Sequence, residues 1–286
     1  MNVKERYTSA IDSLFQYTKP LRLRWFRMIN FIPKRIRIVT GVLAMTTLML
    51  MSTFFSFSSS WFIFFIIIVC ASFFVTYVGI FEGISGIEWV MLFVMPVFLS
   101  LALYFAFSLI PVRWLTRIPF LFLFALLFYA VLLTSNIFNI GVERSLQLYR
   151  AAFSINYLLQ TIIVFAFTIV IASLRVGFLL NGFLLFVVIF FLTFQLIWSV
   201  KPSDTNDHSL YLYGLLAGIV MAELFIALSF IPIKINIAAL VVSAVFYSLG
   251  GVLYHHYNER LFKNIIREYI FVLCFVIVIA FLTIQW

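Results

Sequence analysis

From residue 38 onward the chain divides into about nine runs of roughly 20 apolar residues, and most of its charges fall between the runs. A helix rising about 1.5 Å per residue needs that length to cross the hydrocarbon core of a bilayer. The runs lie near 38–57, 61–81, 89–110, 118–137, 152–173, 177–199, 210–230, 235–254 and 269–286. None alternates polar and apolar residues as the strands of a membrane barrel do, and a helix is the other structure that satisfies its own backbone in lipid. The pattern predicts an all-α, polytopic transmembrane bundle of about nine spans over 37–286, preceded by a basic amphipathic segment at 1–36. Its shortest joints fall at Ser58–Ser60 and Ser173–Gly177.

The basic residues set the expected orientation. Lys4, Arg6, Lys19, Arg22, Arg24, Arg27, Lys34, Arg35 and Arg37 crowd the N-terminal segment, against Glu5 and Asp12. Nine spans put fifteen of the 19 Lys and Arg residues on one side, which the positive-inside rule makes cytoplasmic, together with the N-terminus. Tyr7, Ile11, Leu14 and Phe15 recur at helical spacing, and a basic-aromatic stretch LRLRWFRMINFIPKR follows Pro20. The segment reads as a surface for anionic lipid headgroups, or more plainly as a topology-setting tail. It lacks the small-residue cleavage pattern of a signal peptide. Nucleic acid is the poorer partner for the net charge of +9, because the cations hug apolar spans.

Little else in the sequence points to chemistry. Cys70 and Cys274 both fall inside spans, and no Gly-rich phosphate loop, H-E-x-x-H or G-x-S-x-G string occurs. No catalytic residue, cofactor or metal is expected, and the chain reads as a non-enzyme. His255 or His256 with Glu259 in LYHHYNER offers metal-ligand types, but no further Cys or His completes a set. Leu253, Tyr257, Leu261, Ile265 and Tyr269 predict instead an amphipathic interfacial helix. Asp204, Asp207 and His208 read as a turn and a cap for the seventh span.

Glu223 is expected to be the lone acid within a span, about 4 to 5 Å from the middle of the seventh. A carboxyl there is costly and ordinarily faces a bundle interior, a partner or a wet cavity. It reads as a proton or cation site, or as a protonated or Arg-paired group that locks helices together. Gly214, Gly218 and Ala222 form a small-xxx-small seam on the same helix, where close packing is expected. Glu223 lies about 140° round from Gly218, on a stripe with Leu212, Leu216, Ile219, Ala227 and Phe230, so it is expected to face another helix or a cavity. Asn156, Gln160, Thr161 and Gln195 are the polar groups available to meet it or to line a path, with Arg175 or Lys234 reaching in from the edge.

AFSLIPVR at 106–113 recurs as ALSFIPIK at 227–234. Two readings stand: a parallel repeat relating 89–173 to 209–286, as in some transporters, or a recurrent device of a helix-ending proline followed by a snorkelling cation. Beyond this, the stretch from Ala222 through LSFIPI and HHYNERL to Trp286 resembles a family of uncharacterised bacterial multi-pass inner-membrane proteins. The resemblance covers about the last quarter of the chain, and implies that membrane setting and no activity. The scarcity of polar groups in the spans favours a non-catalytic scaffold or lipid-associated subunit. The alternative is a small secondary transporter with Glu223 as its proton or cation site.

Overall fold

A computed structural model describes residues 33–283 apart from 56, 83, 85, 112, 141–145, 203–207 and 259–261. Among the described residues there are nine helices and no strand: α1 (Lys34–Ser52), α2 (Phe57–Ile80), α3 (Glu88–Phe107), α4 (Trp114–Ile140), α5 (Leu146–Leu174), α6 (Phe178–Trp198), α7 (His208–Ser229), α8 (Ile235–Tyr257) and α9 (Lys263–Thr283). All nine are long and apolar enough to cross a membrane. The basic-aromatic readings of 1–32, including Lys4 to Arg27, lie outside the described residues.

Several helices extend past the apolar runs to take in flanking cations. α4 takes in Arg117, α5 takes in Arg150, and α9 takes in Lys263 and Arg267. A long basic side chain reaches water from inside a helix, so the backbone stays hydrogen-bonded through the interface. Three boundaries differ from the sequence reading. Lys34 to Ile36 form the first turn of α1 rather than the end of a tail, and the joint placed at Ser58–Ser60 falls earlier, because those serines lie in the first turn of α2. The interfacial helix expected across 253–269 is absent as such: α8 runs to Tyr257, Asn258 caps it, and α9 begins at Lys263. Tyr257 and Tyr269 therefore belong to two spans, and their rings pack on Tyr213 and Tyr247.

Successive helices alternate in direction. At one end, here the proximal end, the start of α1 meets the loop after α2, where Lys34 Nζ lies 3.3 Å from Glu82 Oε2 and Arg37 pairs with Glu82 Oε1. Asn139, near the end of α4, donates to the carbonyls of Ile80 (2.9 Å) and Glu82 (2.7 Å) at that end. At the distal end, Arg117 donates to the Thr53 carbonyl at 2.9 Å and lies over the rings of Phe54 and Trp114. The repeated motif forms two distal turns with matching hydrogen bonds. Leu109 N bonds Ala106 O as Phe230 N bonds Ala227 O, and Ser108 Oγ and Ser229 Oγ each reach back to Phe105 O and Ile226 O at 2.6 Å.

α3 is the central helix, packed against α2, α4, α5 and α6, whereas α9 packs chiefly on α8 and buries little besides Val276 and Ala280. The core runs through Met95, Leu99, Phe124, Phe128, Ile163, Leu185, Ile189 and Met221. The outer surface is equally apolar: Leu115 is 84 % exposed, Phe122 and Phe271 are each 72 %, and Leu282 is 76 %. Patches of that extent belong in lipid rather than in water. Many hydroxyl groups inside the spans turn back on their own helices, as Thr168 does to Val164 O at 2.7 Å and Ser100 to Pro96 O at 2.8 Å, whereas Ser135 donates across to Leu92 O of α3. The former so satisfy themselves without a neighbouring helix.

Candidate functional site

α7 has two faces of opposite character. Gly214 and Gly218 are buried against Phe190 and Phe186 of α6, and a Cβ on Gly218 would lie 2.9 and 3.0 Å from the Phe186 ring. From the other side, Gly182 of α6 admits Ile226, with Ala222 O close by. Absent side chains thus let the two backbones approach, and α6 with α7 is the most extensive helix pair in the bundle.

Glu223 lies elsewhere. It is exposed, as are Leu212, Leu216, Ile219, Ala227 and Phe230, the stripe that periodicity assigns to it. The expectation that this stripe faces another helix of the bundle or a cavity is corrected, because the whole face points outward. It makes no hydrogen bond or ion pair with another described residue. Its depth is also corrected. α7 spans His208–Ser229, so Glu223 sits about 9 Å inside the distal end and about 7 Å from the middle. Nor is it the sole helical acid, since Glu88 opens α3 and Glu268 lies in the second turn of α9. It is the one that sits deepest among described acids.

The predicted polar residues meet one another instead of Glu223. Asn156 and Gln160 of α5 and Gln195 of α6 are all essentially inaccessible. Gln195 Oε1 accepts from Asn156 Nδ2 at 3.1 Å and from Gln160 Nε2 at 2.5 Å, and Gln160 Nε2 also reaches Leu192 O at 3.0 Å. Asn156 Oδ1 and Gln160 Oε1 remain without partners among the described residues. Thr161 turns back to Tyr157 O. Arg175 adopts a left-handed conformation (φ 52°) in the turn before Gly177 (φ 110°), and Lys234 is exposed ahead of α8; both lie at the distal end.

One feature escaped the sequence reading. Tyr149, Tyr157, Tyr247, Tyr254 and Tyr269 gather at the proximal end, around a cavity of about 830 Å³ between α5, α8 and α9. Tyr157 stacks on Tyr247 with centroids 5.1 Å apart, and Phe153 stacks on Tyr254 at 4.4 Å. The hydroxyls of Tyr149 and Tyr157 donate to the carbonyls of Ser199 and Tyr247. Adjacent glycines in α8 make the room: a Cβ on Gly250 would lie 3.0 Å from Tyr157 Cε2, and one on Gly251 would overlap the Tyr269 ring. Arg150, Lys201, His255 and Asn258 stand round the same space. The signal available was the α5 spacing Tyr149, Phe153, Tyr157 opposite Gly250-Gly251. Tyrosines near span ends are, however, the usual aromatic belt. His256 packs edge-on to Tyr213, and Glu259 lies outside the described residues, as do Asp204 and Asp207.

Arg37 is a third polar centre. It is 5 % exposed, lies 4.9 Å from the centroid of the Phe81 ring, and has Nε and Nη1 unpartnered among the described residues. Partial burial raises the Glu82 carboxyl. The hydrogen bond from Arg37 and the charge of Lys34 oppose it and hold the group below the ordinary value of 4.5.

A family model described as a protein of unknown function (DUF5656) matches residues 41–283, from within α1 to the end of α9. Neither a curated protein nor a solved structure matches the chain.

Proposed function

We propose, for a chain that belongs to the DUF5656 family over nearly its whole length, that it is a non-catalytic membrane subunit whose α7 face receives a transmembrane helix of another protein. The membrane proposed is a bacterial inner membrane, with the proximal end cytoplasmic, as the excess of Lys and Arg at that end favours. The observation that carries the reading is the outward, unpaired Glu223 within an apolar stripe. A carboxyl facing hydrocarbon is unfavourable, and such groups pair with a donor or a cation. An interior transport path would call for Glu223 inside the bundle, so its outward position supports docking over carriage.

The partner inferred is a different chain. A second copy related by an axis along the membrane normal would set Glu223 against Glu223 at the same depth. Among the described helices the cations lie near the ends, and Arg117, the one nearest that depth at the distal side, is held by the Thr53 carbonyl and the Phe54 and Trp114 rings, so the described residues of a second copy offer no free cation at that level. A helix with Arg, Lys or an amide at matching depth fits the stripe.

The test is the size of the native complex in mild detergent, read on native gels. Wild type should migrate as more than the chain alone. Glu223→Leu should release the subunit without lowering the melting temperature of the purified chain, and Glu223→Lys should do so most fully, by placing like charge against the partner's cation. Unchanged complex size in both variants, or a photoreactive residue at Val220 that reacts with lipid alone, overturns the reading.

A further inference from the structure

The proximal cavity is graded from charge to aromatic surface. Arg150 and Lys201 stand at its outer edge, and neither is engaged by a carboxylate among the described residues; Lys201 lies 5.7 Å over the Tyr257 ring. Glu268 is near enough to His255 to interact with it electrostatically, but it does not line the space. Along α5 the wall passes from Arg150 to Leu158, eight residues or about 12 Å inward, and Leu158 is 58 % exposed. Several polar groups of the wall are already spent on carbonyls: the hydroxyls of Tyr149, Tyr157 and Ser154, and the Asn258 amide. Those groups are thus not offered to the hydroxyls of a sugar, and what Tyr157 presents to the space is ring surface on which an apolar chain can lie. The volume falls within the usual range of small-ligand pockets, and the two cations lie at the helix ends, the level at which headgroup phosphates sit.

We propose that this cavity binds a phosphate-bearing amphiphile, its anionic group between Arg150 and Lys201 and its apolar chain over the tyrosine floor toward Leu158. The glycine pair in α8 is then a device for keeping the cavity open, because side chains there would displace Tyr157 and Tyr269. The site is independent of the docking face, since Glu223 lies about 22 Å from the proximal end of α7.

The experiment uses the purified full chain in dodecyl maltoside, with melting temperature followed against added dioleoyl phosphatidic acid, the matching diacylglycerol, or inorganic phosphate. Phosphatidic acid should protect, and diacylglycerol, which has the same chains without the phosphate, should protect far less. Arg150→Gln with Lys201→Gln, both at exposed positions, should weaken the phosphatidic acid effect by roughly tenfold. Leu158→Trp, which fills the cavity from its exposed rim, should abolish the effect with both cations intact. Equal protection by diacylglycerol, or an undiminished effect in either variant, overturns the proposal. Protection by inorganic phosphate equal to that by the lipid makes the ligand a soluble phosphate and overturns the amphiphile.

Discussion

Replacing Gly218 with valine should loosen the α6–α7 pair, and the size of the effect follows from the packing. The first added atom would stand 2.9 and 3.0 Å from two carbons of the Phe186 ring and 3.3 Å from its carbonyl oxygen. Ordinary contact begins near 3.4 Å, so the helices must part by about 0.5 Å or the ring must turn. Turning is opposed. Phe186 lies in a column with Phe183, Phe190 and Phe194 along α6, at centroid spacings of 6.4, 6.2 and 6.0 Å. Overpacking of this kind costs about 1–3 kcal/mol, and alanine recovers up to about 1 kcal/mol through its better helix propensity. Gly218→Ala should therefore cost about 1 kcal/mol and Gly218→Val about 2–3 kcal/mol. At roughly 2–4 °C per kcal/mol for a chain of this size, valine lowers the apparent melting temperature in detergent by roughly 5–10 °C. Intrinsic fluorescence follows the transition, with Trp198 of α6 buried at 1 % exposure. Ile219→Val, on the outward face, should leave the temperature unchanged, and Phe186→Leu should restore part of the loss in Gly218→Val. A Gly218→Val protein melting within about 1 °C of wild type, or one that Phe186→Leu worsens, refutes the reasoning.

Two further perturbations follow from the polar centres. Glu82 is held below its ordinary value, so its contribution to stability is present above about pH 4.5 and fades as acidification protonates the folded carboxyl. Its side chain is 45 % exposed, so the contribution is on the order of 1 kcal/mol; melting temperature should fall below that pH in wild type and less steeply in Glu82→Gln. Gln195→Leu leaves the buried Asn156 amide without its acceptor and Gln160 with the Leu192 carbonyl alone, and should cost about 1–2 kcal/mol by thermal unfolding. Replacing Asn156, Gln160 and Gln195 together by leucine should be milder than that single change, and a triple variant worse than the single one would show that the amides matter for more than pairing.

How much of this was legible depends on what an apolar sequence encodes. The number of spans and their helical nature were readable, because only a helix about 20 residues long can hide its backbone across a bilayer, and the charged breaks separate one apolar run from the next. The seam of Gly214 and Gly218 was readable for a related reason: without a side chain, close approach is the gain available to a residue in lipid. The periodicity also grouped Glu223 correctly with Leu212, Leu216 and Ile219. It could not say which way that stripe points, since lipid is as apolar as the core and a leucine face suits either. The same symmetry hid the partners of Arg37 and the meeting of five tyrosines, which line one cavity from positions as distant in sequence as Tyr149 and Tyr269. The sequence by itself thus determined which segments are helices and which residues share a face, while their ends moved by several residues. The tertiary structure alone decided which face is inside, because in a membrane the hydrophobic effect that sorts inside from outside in water no longer separates them.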